Sequence, residues 1–325
     1  MTSLIVGIGG TQLADHERTW LLDPGVSGVI LFKRNSGPVA QLRQLCDAIR
    51  TVRDDLLICV DQEGGRVQRF VDGFSTLPAL GQLAVADTGQ AQERALWHGW
   101  LMAAETLAAG ADLSFAPVLD LDRASRVIGD RAFSDDPEVV SILGAAYVAG
   151  MAEAGMQAVG KHFPGHGSVI PDTHHDVACD DRPMAELESL DLKPFSRLAQ
   201  DLGGLMLAHV AYPAWCQEPA GFSSRWVDYI RQQLNYDGAL ISDDLGMAAA
   251  VEVGDIAARL RLCCEAAVDI ALVCDPADVP AAIESGLGGR CTRMSQLRPT
   301  RQWSWSSLVN DPKYAQARRT LGITA

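Results

Sequence analysis

No stretch of this sequence approaches the roughly 20 consecutive apolar residues that a membrane helix needs, although 48% of its 325 residues are hydrophobic. A membrane-spanning protein is not expected, and there is material for a full core. Basic charge is scarce as well. Lys and Arg number 27 against 41 Asp and Glu, a formal net charge of −14, and they form no stripe. Proteins that track phosphates carry such stripes, so nucleic acid is not an expected partner. The acidity is read as solubility. The eight cysteines, at 46, 59, 179, 216, 263, 264, 274 and 291, include no Cys-x-x-Cys, and several lie in apolar runs. That argues for reduced, buried thiols in a cytoplasmic protein rather than a disulfide framework. The start, Met1-Thr2-Ser3-Leu4-Ile5-Val6, has neither a basic n-region nor a cleavage signature, so a signal peptide is not expected. Linkers, internal repeats and low-complexity blocks are missing too, which leaves one domain over residues 1–325. Residues 284–306 are irregular, and the tail after residue 285 is poorly placed by its pattern. Trp303 and Trp305 are expected to pack that tail onto the rest.

What the chain does have is alternation. Short apolar runs occur at Leu4–Ile8, Gly28–Phe32, Leu56–Val60, Leu113–Pro117, Gln157–Gly160, Gly204–Ala208, Ala239–Ser242 and Ile270–Val273. They are continuous, as strands buried on both faces are. Helical patterns fall between them. Pro38 opens one in a first-turn position, with Val39, Leu42, Leu45, Cys46 and Ile49 at helical spacing. Ser223-Ser224 can cap a second, with Trp226, Val227, Ile230 and Leu234 as its apolar face. Ile256, Leu260, Cys264 and Ala267 form a third stripe. Eight βα units in a chain of this length predict an α/β fold, a single-domain (β/α)8 TIM barrel. An open doubly wound sheet often carries a Gly-rich phosphate turn after its first strand. That position here reads Ile8-Gly9-Gly10-Thr11-Gln12 and lacks the required spacing.

Active sites of such barrels lie at the C-terminal ends of the strands, and those ends are polar here. The third run leads to Asp61-Gln62-Glu63-Gly64-Gly65-Arg66-Val67-Gln68-Arg69. The fourth leads to Asp120-Leu121-Asp122 and then Gly129-Asp130-Arg131. The fifth leads to Lys161-His162-Phe163-Pro164-Gly165-His166-Gly167 and Asp172-Thr173-His174-His175-Asp176. The sixth ends at His209, the seventh at Ser242-Asp243-Asp244 and the eighth at Cys274-Asp275. Four of the seven histidines fall within residues 162–175. That composition reads as a long loop starting at Lys161, and long ordered loops usually carry function. Each polar group has an ordinary structural role open to it. Asp61 could cap the Gly64-Gly65 turn, Arg69 and Arg131 could sit in ion pairs, Asp244 could cap a helix, and His209 could be a core histidine. Their convergence on one rim favours a site.

Three chemistries could use the set. A metal is disfavoured because Pro164-Gly165 breaks the helix that would align His162 with His166. No His-x-His stands at an early strand end, and no metal or cofactor is expected. Phosphate binding is disfavoured because the rim is acid-rich and has no Gly-rich cradle. Glycoside cleavage needs a carboxylate at the anomeric carbon and a proton donor for the leaving oxygen. Asp243, at a strand end, suits the first role. His174 suits the second if Asp172 holds and polarises its imidazole. Asp61, Arg69, Arg131, Lys161 and His162 suit sugar hydroxyls and an amide carbonyl.

These motifs, together with Ser114-Phe115-Ala116-Pro117-Val118-Leu119-Asp120 and Ile241-Ser242-Asp243-Asp244-Leu245, closely resemble the bacterial β-N-acetylglucosaminidases of glycoside hydrolase family three. Within that family the chain is similar to the single-domain cytoplasmic β-hexosaminidases of peptidoglycan recycling, from residue 4 to residue 275. The resemblance implies a retaining mechanism with Asp243, and not Asp244, as nucleophile. It implies His174 as acid/base paired with Asp172, and Asp61, Arg69, Arg131, Lys161 and His162 as contacts to N-acetylglucosamine. The implied substrate is N-acetylglucosamine β-1,4-linked to 1,6-anhydro-N-acetylmuramic acid, with or without stem peptide. Gly7 departs from the pattern where relatives often carry Asp, and Leu207 where a Pro commonly precedes Ala-His-Val. His174 is followed by a second His-Asp pair, His175-Asp176.

Rival readings are a phosphorylase, a substrate-assisted hexosaminidase using Asp243-Asp244, and a non-catalytic muropeptide sensor. An intact Asp172, His174 and Asp243 set speaks against the sensor. A monomer acting on a small glycan is expected, with the 161–180 loop closing over it on its glycines and flanking prolines.

Overall fold

The computed structural model describes residues 2–84, 87–123, 125–169, 178–251 and 253–323. Eight parallel strands form one curved sheet: β1 Ser3–Gly7, β2 Val26–Leu31, β3 Leu57–Val60, β4 Leu113–Ser114, β5 Val159–Phe163, β6 Gly204–Leu207, β7 Ala239–Asp244 and β8 Ile270–Val273. The ladder runs β4-β3-β2-β1-β8-β7-β6-β5. Between its two ends, Val159 N–H donates to Ala116 O at 2.8 Å, Lys161 N–H to Pro117 O at 3.1 Å, and Leu119 N–H to Lys161 O at 2.7 Å. The result is the expected (β/α)8 barrel, nearly closed by ladder and completed by these bonds. Every strand is buried along most of its length, which is why the runs read as continuous apolar stretches.

Two of the differences from the expected strand bounds bear on the site. The fourth strand is two residues long instead of reaching Pro117, because proline has no N–H to donate to a ladder. The fifth continues through Lys161 and His162 to Phe163, so the histidine-rich segment does not begin as a loop. The partner register slips between Lys161 and Phe163, and His162 is the extra residue of the bulge that re-aims the strand.

Among the described residues twelve helices surround the strands: α1 Asp15–Leu21, α2 Val39–Val52, α3 Thr88–Ala109, α4 Pro137–Ala154, α5 Met184–Ser189, α6 Leu192–Leu198, α7 Ser224–Gln232, α8 Ala248–Val251, α9 Ile256–Glu265, α10 Val279–Glu284, α11 Trp305–Val309 and α12 Pro312–Leu321. Helix α2 buries Leu42, Leu45, Cys46 and Ile49, and Pro38 stands at its N-cap. Ser223 caps α7 by accepting from Trp226 N–H, above buried Trp226, Val227 and Ile230. In α9 the buried stripe is Ile256, Leu260 and Cys263. Cys264, expected there, is half-buried, since a step of seven stays closer to the facing line than a step of eight. Ala267 lies beyond the helix, at φ +61°.

Helices α3 and α4 meet backbone to backbone. A Cβ at Gly99 would lie 2.2 Å from Tyr147 O, and one at Gly150 would lie 2.0 Å from Leu96 O. The tail docks as expected. Trp303 packs edge-on against Trp100 at 5.8 Å and donates Nε1–H to Ala154 O at 2.9 Å, while Trp305 packs on Phe74 at 5.2 Å. No helix is long and apolar enough to cross a membrane among the described residues.

Candidate active site

A cavity of about 420 Å3 opens at the C-terminal ends of the strands, within the size range of small-ligand sites. Asp61, Arg69, Arg131, Lys161, His162 and Asp243 all line it. Phe32, Phe115, Met206 and Leu272 supply apolar wall.

The cationic side is built around two carboxylates. Asp61 follows β3 directly, and Glu63 lies in a short hairpin, Gln62–Gly64 with Val67–Gln68. The Gln62 amide braces that hairpin by accepting the N–H groups of Arg69 and Phe70, each at 3.0 Å. Lys161 Nζ lies 2.8 Å from Asp61 Oδ1 and 2.5 Å from Glu63 Oε1. Arg131 forks onto Glu63, with Nε to Oε2 and Nη2 to Oε1 both at 2.9 Å. Burial works against the Glu63 charge, but Lys161 and the Arg131 fork outweigh it and bring its pKa to about 2. Arg69 Nη2 stands 3.8 Å from Asp61 Oδ2, and its buried Nε has no partner among the described residues. The ion-pair reading of both arginines thus holds alongside their place in the cavity. Asp61 pairs with lysine instead of capping the hairpin turn.

His162 is aimed from behind. Fully buried Asp120 lies 2.7 Å from its Nδ1 and accepts its N–H at 3.2 Å and that of His166 at 2.7 Å. A carboxylate only accepts, so Nδ1 carries the hydrogen and Nε2 faces the cavity, 3.5 Å from Arg131 Nη2. Burial disfavours the Asp120 charge, yet the two histidines and these bonds hold its pKa below the usual range. His166 is buried, and its Nδ1 has no partner among the described residues. Burial, then the neighbouring His162, pushes its pKa down. Among the described residues no group of three His, Cys, Asp or Glu is placed to hold a metal ion.

Asp243 stands at the end of β7. Its Oδ1 accepts the N–H of Asp244 at 2.8 Å, and no side chain bonds its carboxylate among the described residues. Burial raises its pKa, but His162, His209, the Asp244 N–H and Lys161 together hold it below the ordinary value. Asp244 also lines the cavity. Its Oδ1 accepts from Gly246 N–H at 3.0 Å and Cys274 N–H at 3.2 Å, a turn contact in place of the helix cap its position suggested. At Gly7, a Cβ would lie 2.1 Å from Cys274 O. Arg34 occupies the adjoining space, its Nη2 donating to that same oxygen at 2.6 Å.

Six of the eight site residues expected from sequence thus share one cavity. The other two, Asp172 and His174, lie outside the described residues, as do His175, Asp176 and the 170–177 part of the loop expected to close. The flanks of that loop are held. Tyr212 Oη–H donates to Gly165 O at 2.5 Å, and Ser125 N–H donates to Gly167 O at 2.9 Å. Further on, Arg182 bridges Asp180 at 2.7 Å and Asp191 at 2.8 Å. Glu63 and Asp120 were not picked out from sequence as site residues, although both stood inside the motifs. For Asp120 the signal available was a carboxylate directly after an apolar run, which requires a partner when buried; Glu63, two residues past Asp61, carries no such signal.

Residues 3–294 match the Glycosyl hydrolase family 3 N terminal domain. The chain is 56% identical over 288 residues to a β-hexosaminidase of Alkalilimnicola ehrlichii, covering 86% of this chain and 83% of that protein. It is 45% identical to a β-hexosaminidase of Stenotrophomonas maltophilia over 99% of both chains. Among solved structures, native NagZ from Neisseria gonorrhoeae superposes with a TM-score of 0.89 at 37% identity, covering 98% of this chain and 96% of that one. The same protein in complex with N-trifluoroacetyl-D-glucosamine superposes at 0.90 and 36%, covering 100% and 98%.

Proposed function

The chain belongs to glycosyl hydrolase family 3 and is a β-N-acetylhexosaminidase, and from that premise we propose a retaining exo-β-N-acetylglucosaminidase whose nucleophile is Asp243 and whose acid/base is His174, paired with Asp172. The observation that carries this reading is the state of Asp243. It faces the cavity ionised and free of ion pairs among the described residues, while Asp61, Glu63 and Asp120 are committed to cationic or imidazole partners. In the first step an Asp243 oxygen bonds to the anomeric carbon as the glycosidic bond breaks, and the His174 imidazolium protonates the departing oxygen. In the second, His174 takes a proton from water, the water oxygen bonds to that carbon, and the Asp243–sugar bond breaks. Asp61, Arg69, Arg131, Lys161 and His162 grip the sugar and its N-acetyl group. A neighbouring structure that holds an N-acylated glucosamine supports that ligand class. The proposed substrate is N-acetylglucosamine linked to 1,6-anhydro-N-acetylmuramic acid, cleaved in peptidoglycan recycling in the cytoplasm.

The test is turnover of a chromogenic β-N-acetylglucosaminide by the wild type and by Asp243→Ala. The variant is expected to retain fold and sugar binding and to lose turnover. Full turnover by the variant would remove the assignment. Asp244 shares the cavity and keeps a substrate-assisted route as the second reading. In that route the substrate's acetamido oxygen attacks, so a thiazoline analogue would inhibit strongly. Weak inhibition, with a 5-fluoro sugar bonded to Asp243, is the expected result.

A further inference from the structure

The Asp243 carboxylate is aimed by its own backbone, and one buried histidine outside the cavity lining holds that backbone. The N–H that Oδ1 accepts belongs to the peptide unit between Asp243 and Asp244. The carbonyl oxygen of the same unit lies 3.1 Å from His209 Nε2. A carbonyl only accepts, so Nε2 carries the hydrogen. Nδ1 is buried and has no partner among the described residues. Burial also pushes the His209 pKa down, so the ring is neutral and in a single tautomer.

The ring itself is fixed. It is 2% exposed and stacks on Phe222, with centroids 4.8 Å apart and planes at 28°. On its Nδ1 side a Cβ at Gly221 would come within 3.0 Å. The backbone on each side of His209 is tied to the same turn, Gly221 N–H donating to Ala208 O at 3.0 Å and Ala220 N–H to Val210 O at 2.9 Å. An apolar ring would fill this space without burying an unpaired nitrogen, which costs stability. The bond to the Asp243 carbonyl is what an imidazole adds.

We propose that His209 is a positioning residue for Asp243: by donating from Nε2 to the 243–244 peptide it fixes that peptide's plane, and through the peptide N–H it sets the direction of the nucleophilic carboxylate. The inference rests on the reading of Asp243 as nucleophile. Donation to an amide carbonyl also polarises the amide and strengthens its N–H as a donor. The two hydrogen bonds therefore act in series from the His209 ring to the Asp243 carboxylate.

The test compares three variants of the full chain. His209→Phe keeps a stacking ring without a donor. His209→Gln carries an amide where Nε2 was, and His209→Asn carries one where Nδ1 was. Loss of aim is expected to lower kcat by about 10²-fold in the Phe and Asn variants, with KM unchanged and the acid limb of kcat/KM moved to higher pH. The Gln variant is expected to regain most of the rate and the wild-type acid limb. A folded Phe variant with wild-type kcat and acid limb overturns the inference. Should the Phe variant fail to fold, Asn and Gln variants of equal activity overturn it. Mapping the adduct of a 5-fluoro-N-acetylglucosaminyl fluoride on the wild type separates the two levels. Label away from Asp243 removes the nucleophile assignment and this inference with it. Label on Asp243 with unaltered His209 variants removes this inference alone.

Discussion

At the scale of single residues, the site is a set of charges that hold one another. Glu63 is the clearest case, since one carboxylate carries both the Arg131 fork and one arm of Lys161. Removing a partner from a buried pair costs about 3–5 kcal/mol, so Glu63→Gln should lose stability of that order at neutral pH. Its folded pKa lies below its ordinary 4.5, at about 2. The carboxylate's contribution is thus complete above pH 4.5 and fades as pH falls toward 2. Urea titrations of wild type and variant across that range should show a gap that is full at pH 7 and closes in acid; a gap independent of pH would contradict this account. The sequence displayed these charges but not their pairing. Lys161 and His162 looked like loop residues because a lysine and a histidine in a buried strand are tolerated only when carboxylates meet them. Those carboxylates, Glu63 and Asp120, come from segments 98 and 42 positions away in the chain.

At the scale of elements, legibility followed burial. Strands covered on both faces are continuous apolar runs, and all eight could be found that way; their ends could not, because the ends carry the site. Helix α3 shows a further layer that no periodicity reveals. His98 on α3 is fully buried, with Nε2 3.0 Å from Pro78 O behind the Glu63 hairpin and its ring 5.4 Å from Tyr147 on α4. Burial lowers its pKa from 6.5 to about 4. The unfolded chain takes up a proton here before the folded one does. Stability is therefore complete above pH 6.5 and declines as pH falls toward 4, by about 3 kcal/mol in all. Chemical denaturation at pH 7 and pH 4.5 should show a smaller acid loss in His98→Met than in the wild type. An equal loss in both would place the acid sensitivity elsewhere.

At the scale of the whole molecule, the tail finishes the barrel's outer layer on the face away from the cavity. Trp303→Ala should cost about 3–5 kcal/mol, as large aromatic truncations do, while KM for a chromogenic substrate stays unchanged; a raised KM would mean that the tail shapes the site. The barrel's joint lies between β4 and β5. Strand β4 is two residues long, and the step from there to β5 rests on the bonds of Ala116, Pro117 and Leu119 to Val159 and Lys161. The stave that supplies Lys161 and His162 is therefore also the one that closes the ring. A sugar bound to those two side chains would act as a rivet across the thinnest part of the wall. Hydrogen exchange should report it: with N-acetylglucosamine added, the amides of Leu119, Val159 and Lys161 should gain more protection than those of the β1–β2 ladder. A uniform gain would mean that the ligand steadies the barrel only as a whole. In the localised case, substrate and scaffold share one fastening, and each turnover releases it.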